Sequence, residues 1–428
     1  MNGSIEKVVG RRVWDSRGRP TVEVEVFCRG GTFGRAIAPA GASTGTSEAV
    51  DRRDGDRAHG GYDVRGAVAS VNTEIAQALT GMDVYEQAKI DACLIELDGT
   101  AEKSRLGANA IVATSMATAH AAAAAAGQPL WAWLAGGRAG HLPLPEIQII
   151  GGGAHAARRV DLQDFMVVAV GAPDYLTALD WTAEVYRSAG QILAESGRLQ
   201  GVADEGGFWP AVDSNEEALD VLMRAMERAG LTPGQDMAIA LDIAASEFGA
   251  AGRYHLLREH RELDSDELAE MLLHWITRYP IVSIEDPMAE DDVAAFAAFT
   301  RAVPRGVQVV GDDLLTTRAE RIVNASALGA GNAALIKPNQ VGTLTETKAA
   351  IDAARNVGWD VIISARSGES EDVTLVHLAV GWGIPQLKVG SFARSERMAK
   401  WNEALRIGEV IPTGMALPPR ALFAWNRG

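Results

Sequence analysis

Cysteine is scarce in this 428-residue chain, which carries Cys28 and Cys93 and no others. Two thiols exclude a disulfide scaffold and a cysteine-rich zinc site, and they suit a reducing compartment. Positive charge is also in short supply. Forty Lys and Arg against 56 Asp and Glu leave a net charge of −16. With no local basic patch to offset it, such a surface repels nucleic-acid phosphates and anionic membranes. An anionic substrate therefore needs a bound cation or a few focused Lys and Arg residues. No run reaches the ~18 uninterrupted apolar residues of a membrane span. The longest candidate, Ile111–Ala126, is broken by Thr, Ser and His and reads as a tightly packed helix. The opening MNGSIEKVVGRR has no apolar leader segment. A cytoplasmic protein is expected, binding neither nucleic acid nor membrane. No GxxxxGK[ST] loop occurs, and no GxGxxG follows a strand, which argues against a Walker loop and a Rossmann dinucleotide domain.

What is present falls into two textures. Residues 4–13 and 20–28 read as strands. Thr21-Val22-Glu23-Val24-Glu25-Val26 alternates polar with apolar, the pattern of a half-buried strand, between Pro20 and the Gly30-Gly31 pair. A small-residue loop, Gly41-Ala42-Ser43-Thr44-Gly45, follows. Residues 63–135 are Ala-rich and mostly helical in pattern, with breaks at Gly107 and Gly127-Gln128-Pro129. Strands followed by helices indicate an α+β unit over 1–138. From 139 to 428 short β-branched runs alternate with amphipathic helices, and each run ends in a residue suited to chemistry. Met237–Leu241 leads to Asp242, Ile281–Ile284 to Glu285, Val307–Gly311 to Asp312 and Ala333–Ile336 to Lys337. Val361–Ser364 is followed by Ala365-Arg366-Ser367, and Pro385–Leu387 leads to Lys388. After the first interval the ends recur at roughly one strand plus one helix. Chemistry at successive strand C-termini predicts a (β/α)8-like barrel. A doubly wound open sheet is the competitor, but it gathers its functional groups at one switch point.

On a barrel rim Asp242, Glu285 and Asp312 converge. One Asp after a strand is more often a helix cap. Three carboxylates drawn together repel and call for a cation, and all-oxygen ligation favours Mg²⁺, then Mn²⁺. Lys337 and Lys388 can be snorkelling surface lysines. Against apolar neighbours and beside a metal, a lysine instead serves as a base that removes a proton next to a carboxylate. Asp204-Glu205-Gly206-Gly207 and Gly151-Gly152-Gly153-Ala154-His155 are weaker signals, an acidic turn and a loop tipped by His. The 41–45 loop can be a linker, a phosphate wrap or a lid, with the Ser43 hydroxyl free for a metal.

Together these segments resemble enolase over nearly the whole chain. The matching stretches include VWDSRGRPTVEVEV (13–26), GASTG (41–45), LDGTAEKSRLGANAI (97–111), DEGG (204–207), LDIAASEF (241–248), YPIVSIEDPMAEDD (279–292), IKPNQVGTLTET (336–347), ARSGESED (365–372) and LKVGSFARSERMAKWNEALRI (387–407). Enolase-superfamily sites in general pair a Lys or His base with one or two Mg²⁺ ions, so that pairing is no separate deduction from this chain. The resemblance implies an N-terminal α+β domain capping a ββαα(βα)6 barrel, and a homodimer with Glu23 and Arg406 at the intersubunit ion-pair positions. It implies Mg²⁺ on Asp242, Glu285 and Asp312, with Ser43 completing a second ion. Lys337 is then the base at C2, Glu205 the acid at C3, and Asp164 and His155 act beside them. Lys388, Gln163, Ala365, Arg366 and Ser367 face the substrate, the last two at its phosphoryl group.

The chain departs from the family at four places. Ala365 stands where His precedes Arg-Ser, Asp164 where Glu follows Gln, Gly151 and Ala154 where NGGSH is usual, and Ser47 where His is frequent. Each change shortens a side chain, which predicts an enlarged pocket. The expectation drawn is retained enediolate chemistry on an altered phosphorylated or phosphonylated carboxylate. A nucleotide-activated co-substrate would fit it, as in a carboxyphosphonoenolpyruvate synthase of phosphinate biosynthesis. The alternatives are a genuine enolase acting on 2-phosphoglycerate and a non-catalytic enolase-like binding protein.

Overall fold

In a computed structural model, residues 3–138, 140–156, 158 and 160–427 are described. The expected boundary between 138 and 139 abuts Ala139, which lies outside the described residues. Three antiparallel strands, Ile5–Trp14, Pro20–Cys28 and Phe33–Ile37, form an N-terminal sheet with Pro20–Cys28 in the middle. The third strand has no counterpart in the sequence reading. The middle strand is buried on both faces rather than half-buried. The cause is local: Arg11 and Arg35, from the two flanking strands, pair with Glu25, and Arg11 also with Glu23, so the polar face is covered.

Helices follow, at Arg65–Ser70, Gln87–Asp98, Ala108–Ala125 and Leu130–Ala135. Gly107, with φ 104°, precedes the long one and marks the expected break. That helix lies unusually close to the sheet. A Cβ at Gly34 would meet Ala117 O at 2.2 Å, so glycine and an Ala-rich helix are both needed there.

The remainder is a closed barrel. Leu144–Gly151, Asp164–Val168, Ala238–Asp242, Ile281–Glu285, Gln308–Gly311, Ala333–Ile336, Asp360–Ser364 and Gln386–Ser391 pair in that order. The last returns to the first, which excludes the open doubly wound sheet. Asp164–Val168 runs antiparallel to both neighbours and the rest run parallel, giving the expected ββαα(βα)6 order. The hairpin Leu199–Val202 and Phe208–Pro210 attaches beside the first strand and carries the 203–207 turn to the rim. Among the described residues no helix is long and apolar enough to cross a membrane. Cys28 and Cys93 are both free thiols.

Candidate active site at the barrel rim

Strand register brings the polar ends together. Asp164 pairs with Asp242, and Asp242 with Glu285, so three carboxylates stand side by side on adjacent strands. Lys388 comes from the far wall, and its ammonium lies 2.8 Å from Asp242, 2.7 Å from Glu285 and 3.4 Å from Asp164. Lys337 is paired with Asp312. The anticipated metal carboxylates are thus shared between two lysines. The tightest acidic groupings among the described residues are instead His155–Asp164–Glu205 and Asp286–Asp312–Asp313. In the second, Asp286 accepts the backbone N–H groups of Asp312 and Asp313 at 2.9 and 2.8 Å and so anchors Asp312.

The donor set suits a hard divalent cation. Glu285 Oε1 is buried without a hydrogen-bond partner. Burial first, then Asp242, pushes the Glu285 carboxyl well above its usual range. Burial, then Asp313 and Asp312, do the same to Asp286. Asp313 is pushed up to about 8 by burial and Asp312. Such crowding of buried acids is what a cation relieves. Gln163 donates to Asp242 at 3.0 Å, and its own Oε1 is unpartnered.

On the other side of the rim, His155 lies 3.3 Å from Asp164 and 3.9 Å from Glu205. Burial lowers the imidazole pKa, but the charges of Glu205 and Asp164 outweigh it, and it settles at about 8. Glu205 is pushed up by burial, an effect His155 opposes. Asp164 would rise on burial, yet Lys388 and His155 hold it below the usual carboxylate range.

Arg366 is enclosed. It donates to Glu48 at 2.9 Å, to Asn339 at 3.1 Å and to the Ser43 carbonyl at 2.9 Å. The 41–45 loop is therefore drawn over the rim. A Cβ at Gly41 would lie 2.0 Å from Arg366 Nη2, so only glycine allows this approach. Ser43 lines the same cavity as Lys337 and Asp242. Ser367 accepts from Arg17 at 3.2 Å.

One cavity of about 320 Å³ collects Ser43, His155, Gln163, Asp164, Glu205, Asp242, Lys337, Ala365, Arg366, Ser367 and Lys388. Glu285 and Asp312 sit behind Lys388 and Lys337. Other side chains reach shortened positions. Gln148 reaches Asp164, Arg321 reaches Ser47, and Arg366 packs under the loop.

Several contributors escaped the sequence reading. Gln148 binds Asp164 and also accepts the Gly207 N–H at 2.8 Å. Gln340 donates to Asp312 at 2.8 Å and to Glu48 at 3.2 Å, tying the carboxylates to the Arg366 pair. Glu146, whose Oε2 is unpartnered, is pushed up to about 7 by burial. Alternation along Glu146-Ile147-Gln148 was the available signal for two of these.

Residues 5–134 match the family described as enolase, N-terminal domain, and residues 139–417 the family described as enolase, C-terminal TIM barrel domain. Enolase 1 of Desulfitobacterium hafniense strain Y51 is 48% identical over 423 residues, covering 98% of this chain and 97% of that one. The chain belongs to the enolase family. It is thereby an enzyme of a lyase family whose members use Mg²⁺, and a small phosphorylated carboxylate is the substrate class that fits. The resemblance to carboxyphosphonoenolpyruvate synthase, with its transferase chemistry and nucleotide co-substrate, finds no support in these matches. An ordinary enolase fits them at least as well. Within this enolase-family chain Glu23 pairs with Arg11, and Arg406 with Glu403 at 2.9 Å.

Proposed function

We propose that this protein dehydrates 2-phosphoglycerate to phosphoenolpyruvate in the manner of its family, with Mg²⁺ held by Asp242, Glu285 and Asp312 and a second ion completed by Ser43. Mn²⁺ is the expected substitute. The supporting observation is that a candidate base, Lys337, and a candidate acid, Glu205, line one small cavity with Lys388, Arg366 and Ser367. The full-length likeness to Enolase 1 favours the same reading.

In this reading Arg366 and Ser367 take the phosphoryl group, and Lys388 and Gln163 lie at the carboxylate. When bound, the ion supplies positive charge for that carboxylate and for the enediolate. Lys337 removes the C2 proton. Burial lowers the Lys337 pKa, but Asp312 more than restores it. With Asp312 engaged by a cation, the lysine loses the charge that keeps it protonated. Glu205, its pKa raised by burial, is the group placed to give a proton to the leaving hydroxyl at C3. His155, itself fixed by Asp164 at 3.3 Å, lies 3.9 Å from Glu205 and helps to place it. The protein is proposed to act as a cytoplasmic homodimer, with 1–138 as the cap and 139–428 as the barrel.

Ala365 favours a second reading. Its methyl group lines the cavity where family members carry an imidazole, which suits a three-carbon acid with a different leaving group, phosphonate-bearing acids included. Purified protein with Mg²⁺ and 2-phosphoglycerate separates the two. Phosphoenolpyruvate formed at a rate typical of enzymes, about 10 per second, supports dehydration. Failure to form it, with 2-phosphoglycerate still bound, supports the second reading.

A further inference from the structure

A second cavity, about 530 Å³, lies on the outer side of the 41–45 loop. Gly41 and Thr44 face it, while Ala42 and Ser43 face the catalytic cavity. Its charged walls are Arg17, Arg19, Arg53, Glu48 and Asp51. The two acids are already claimed. Glu48 is paired with Arg366 at 2.9 Å and Asp51 with Arg53 at 3.2 Å.

The cationic side is not. The Arg17 side chain is only 7% exposed and shares Asp15 at 3.4 Å. That carboxyl is also spent on the backbone N–H groups of Arg17 and Arg19, at 2.9 and 2.8 Å. Arg17 Nε is buried with no partner at all. Arg19 lies 4.1 Å over the Tyr62 ring, and among the described residues no carboxylate pairs with it. Arg17 also donates to the Ala40 carbonyl at 2.9 Å, so the Arg17 Nε and the Arg19 guanidinium are what remain without an acidic or hydrogen-bonding partner in this concave site, in a chain whose net charge is −16.

Guanidinium forks match tetrahedral oxyanions and bind them by charge-assisted hydrogen bonds. We propose that this cavity binds a second phosphoryl or phosphonyl group, distinct from the one held by Arg366 and Ser367. Arg17 links the two places, because its Nη1 donates to Ser367 Oγ at 3.2 Å. An anion in the outer cavity therefore sits one side chain away from the substrate's phosphoryl end. The same loop roofs both.

Equilibrium dialysis of radiolabelled orthophosphate against the Mg²⁺-loaded full chain tests this. Wild type is expected to bind two phosphates per chain. Arg19→Met should weaken one of them about tenfold or more, the worth of a charged hydrogen-bond partner, and leave 2-phosphoglycerate turnover unchanged. Tyr62→Leu, which removes the ring beneath Arg19, should weaken the same site. Saturating 2-phosphoglycerate should displace only the Arg366-dependent phosphate. A nucleoside monophosphate that then competes for the remaining phosphate assigns the site to a phosphate ester. Failure to compete assigns it to the free anion. Binding of a single phosphate, displaced by 2-phosphoglycerate and untouched in Arg19→Met, overturns the proposal.

Discussion

Lys388 Nζ lies 2.7 Å from Glu285 Oε2, although their strands stand on opposite walls of the barrel. Both side chains are buried. The lysine holds apart carboxylates that register would otherwise leave in mutual repulsion.

Removing that charge should be costly without metal. Lys388→Met leaves Asp242 and Glu285 uncompensated and Asp164 with His155 alone, and breaking a buried pair costs about 3–5 kcal/mol. Urea denaturation in EDTA should show a loss of that order. Mg²⁺ should then stabilise the variant more than it stabilises wild type, because it replaces the missing cation. Equal stabilisation of both proteins would contradict the metal assignment.

Mg²⁺ should stabilise wild type by about 2.7 kcal/mol at a free concentration a hundred times Kd. Glu285→Gln should abolish that gain, since it removes the carboxylate carrying the unpartnered Oε1. A thermal-shift titration with Mg²⁺ checks this, and a full gain in the variant would place the ion elsewhere.

Glu205→Gln should lower kcat about 10²–10⁴-fold, the usual worth of a general acid, with KM little changed. A loss confined to KM would make Glu205 a binding group.

His155 should make metal-free stability depend on pH. Its folded pKa, about 8, lies above the ordinary 6.5. The contribution is therefore complete below pH 6.5 and is lost as pH rises through about 8. The shift corresponds to about 2 kcal/mol. The stability gap between wild type and His155→Gln should be larger at pH 6 than at pH 9 by that amount, measured by urea denaturation in EDTA. A gap independent of pH would show that the imidazole is not held charged.

Ala365→His restores an imidazole to the cavity wall. If 2-phosphoglycerate is the substrate, kcat should rise about tenfold or more, since a single placed polar group is commonly worth 10²–10³. An unchanged or lower rate would show that the site has no deficit there.

The barrel strands bearing Asp242, Glu285, Asp312, Lys337 and Lys388 were legible because each is an apolar β-branched run stopped by one charged residue. The pair Leu144–Gly151 and Asp164–Val168 was not, because inward Glu146 and Gln148 interrupt the apolar pattern where the rim chemistry needs polar groups. Phe33–Ile37 was too short to stand out. The positions of the site residues followed from strand ends, but their partners did not. Glu48 meets Arg366 across 318 residues and Gln340 across 292, contacts that only folding makes. The partners of the shortened positions are packing outcomes of the same kind: Gln148 meets Asp164 and Arg321 meets Ser47.

The central claim is proton removal from C2 by Lys337, and deuterium exchange measures it directly. 2-Phosphoglycerate incubated with the protein and Mg²⁺ in D₂O should take up deuterium at C2, and Lys337→Met should abolish the uptake while Glu205→Gln retains it. Exchange that persists in Lys337→Met, or that is absent from wild type, would contradict the account.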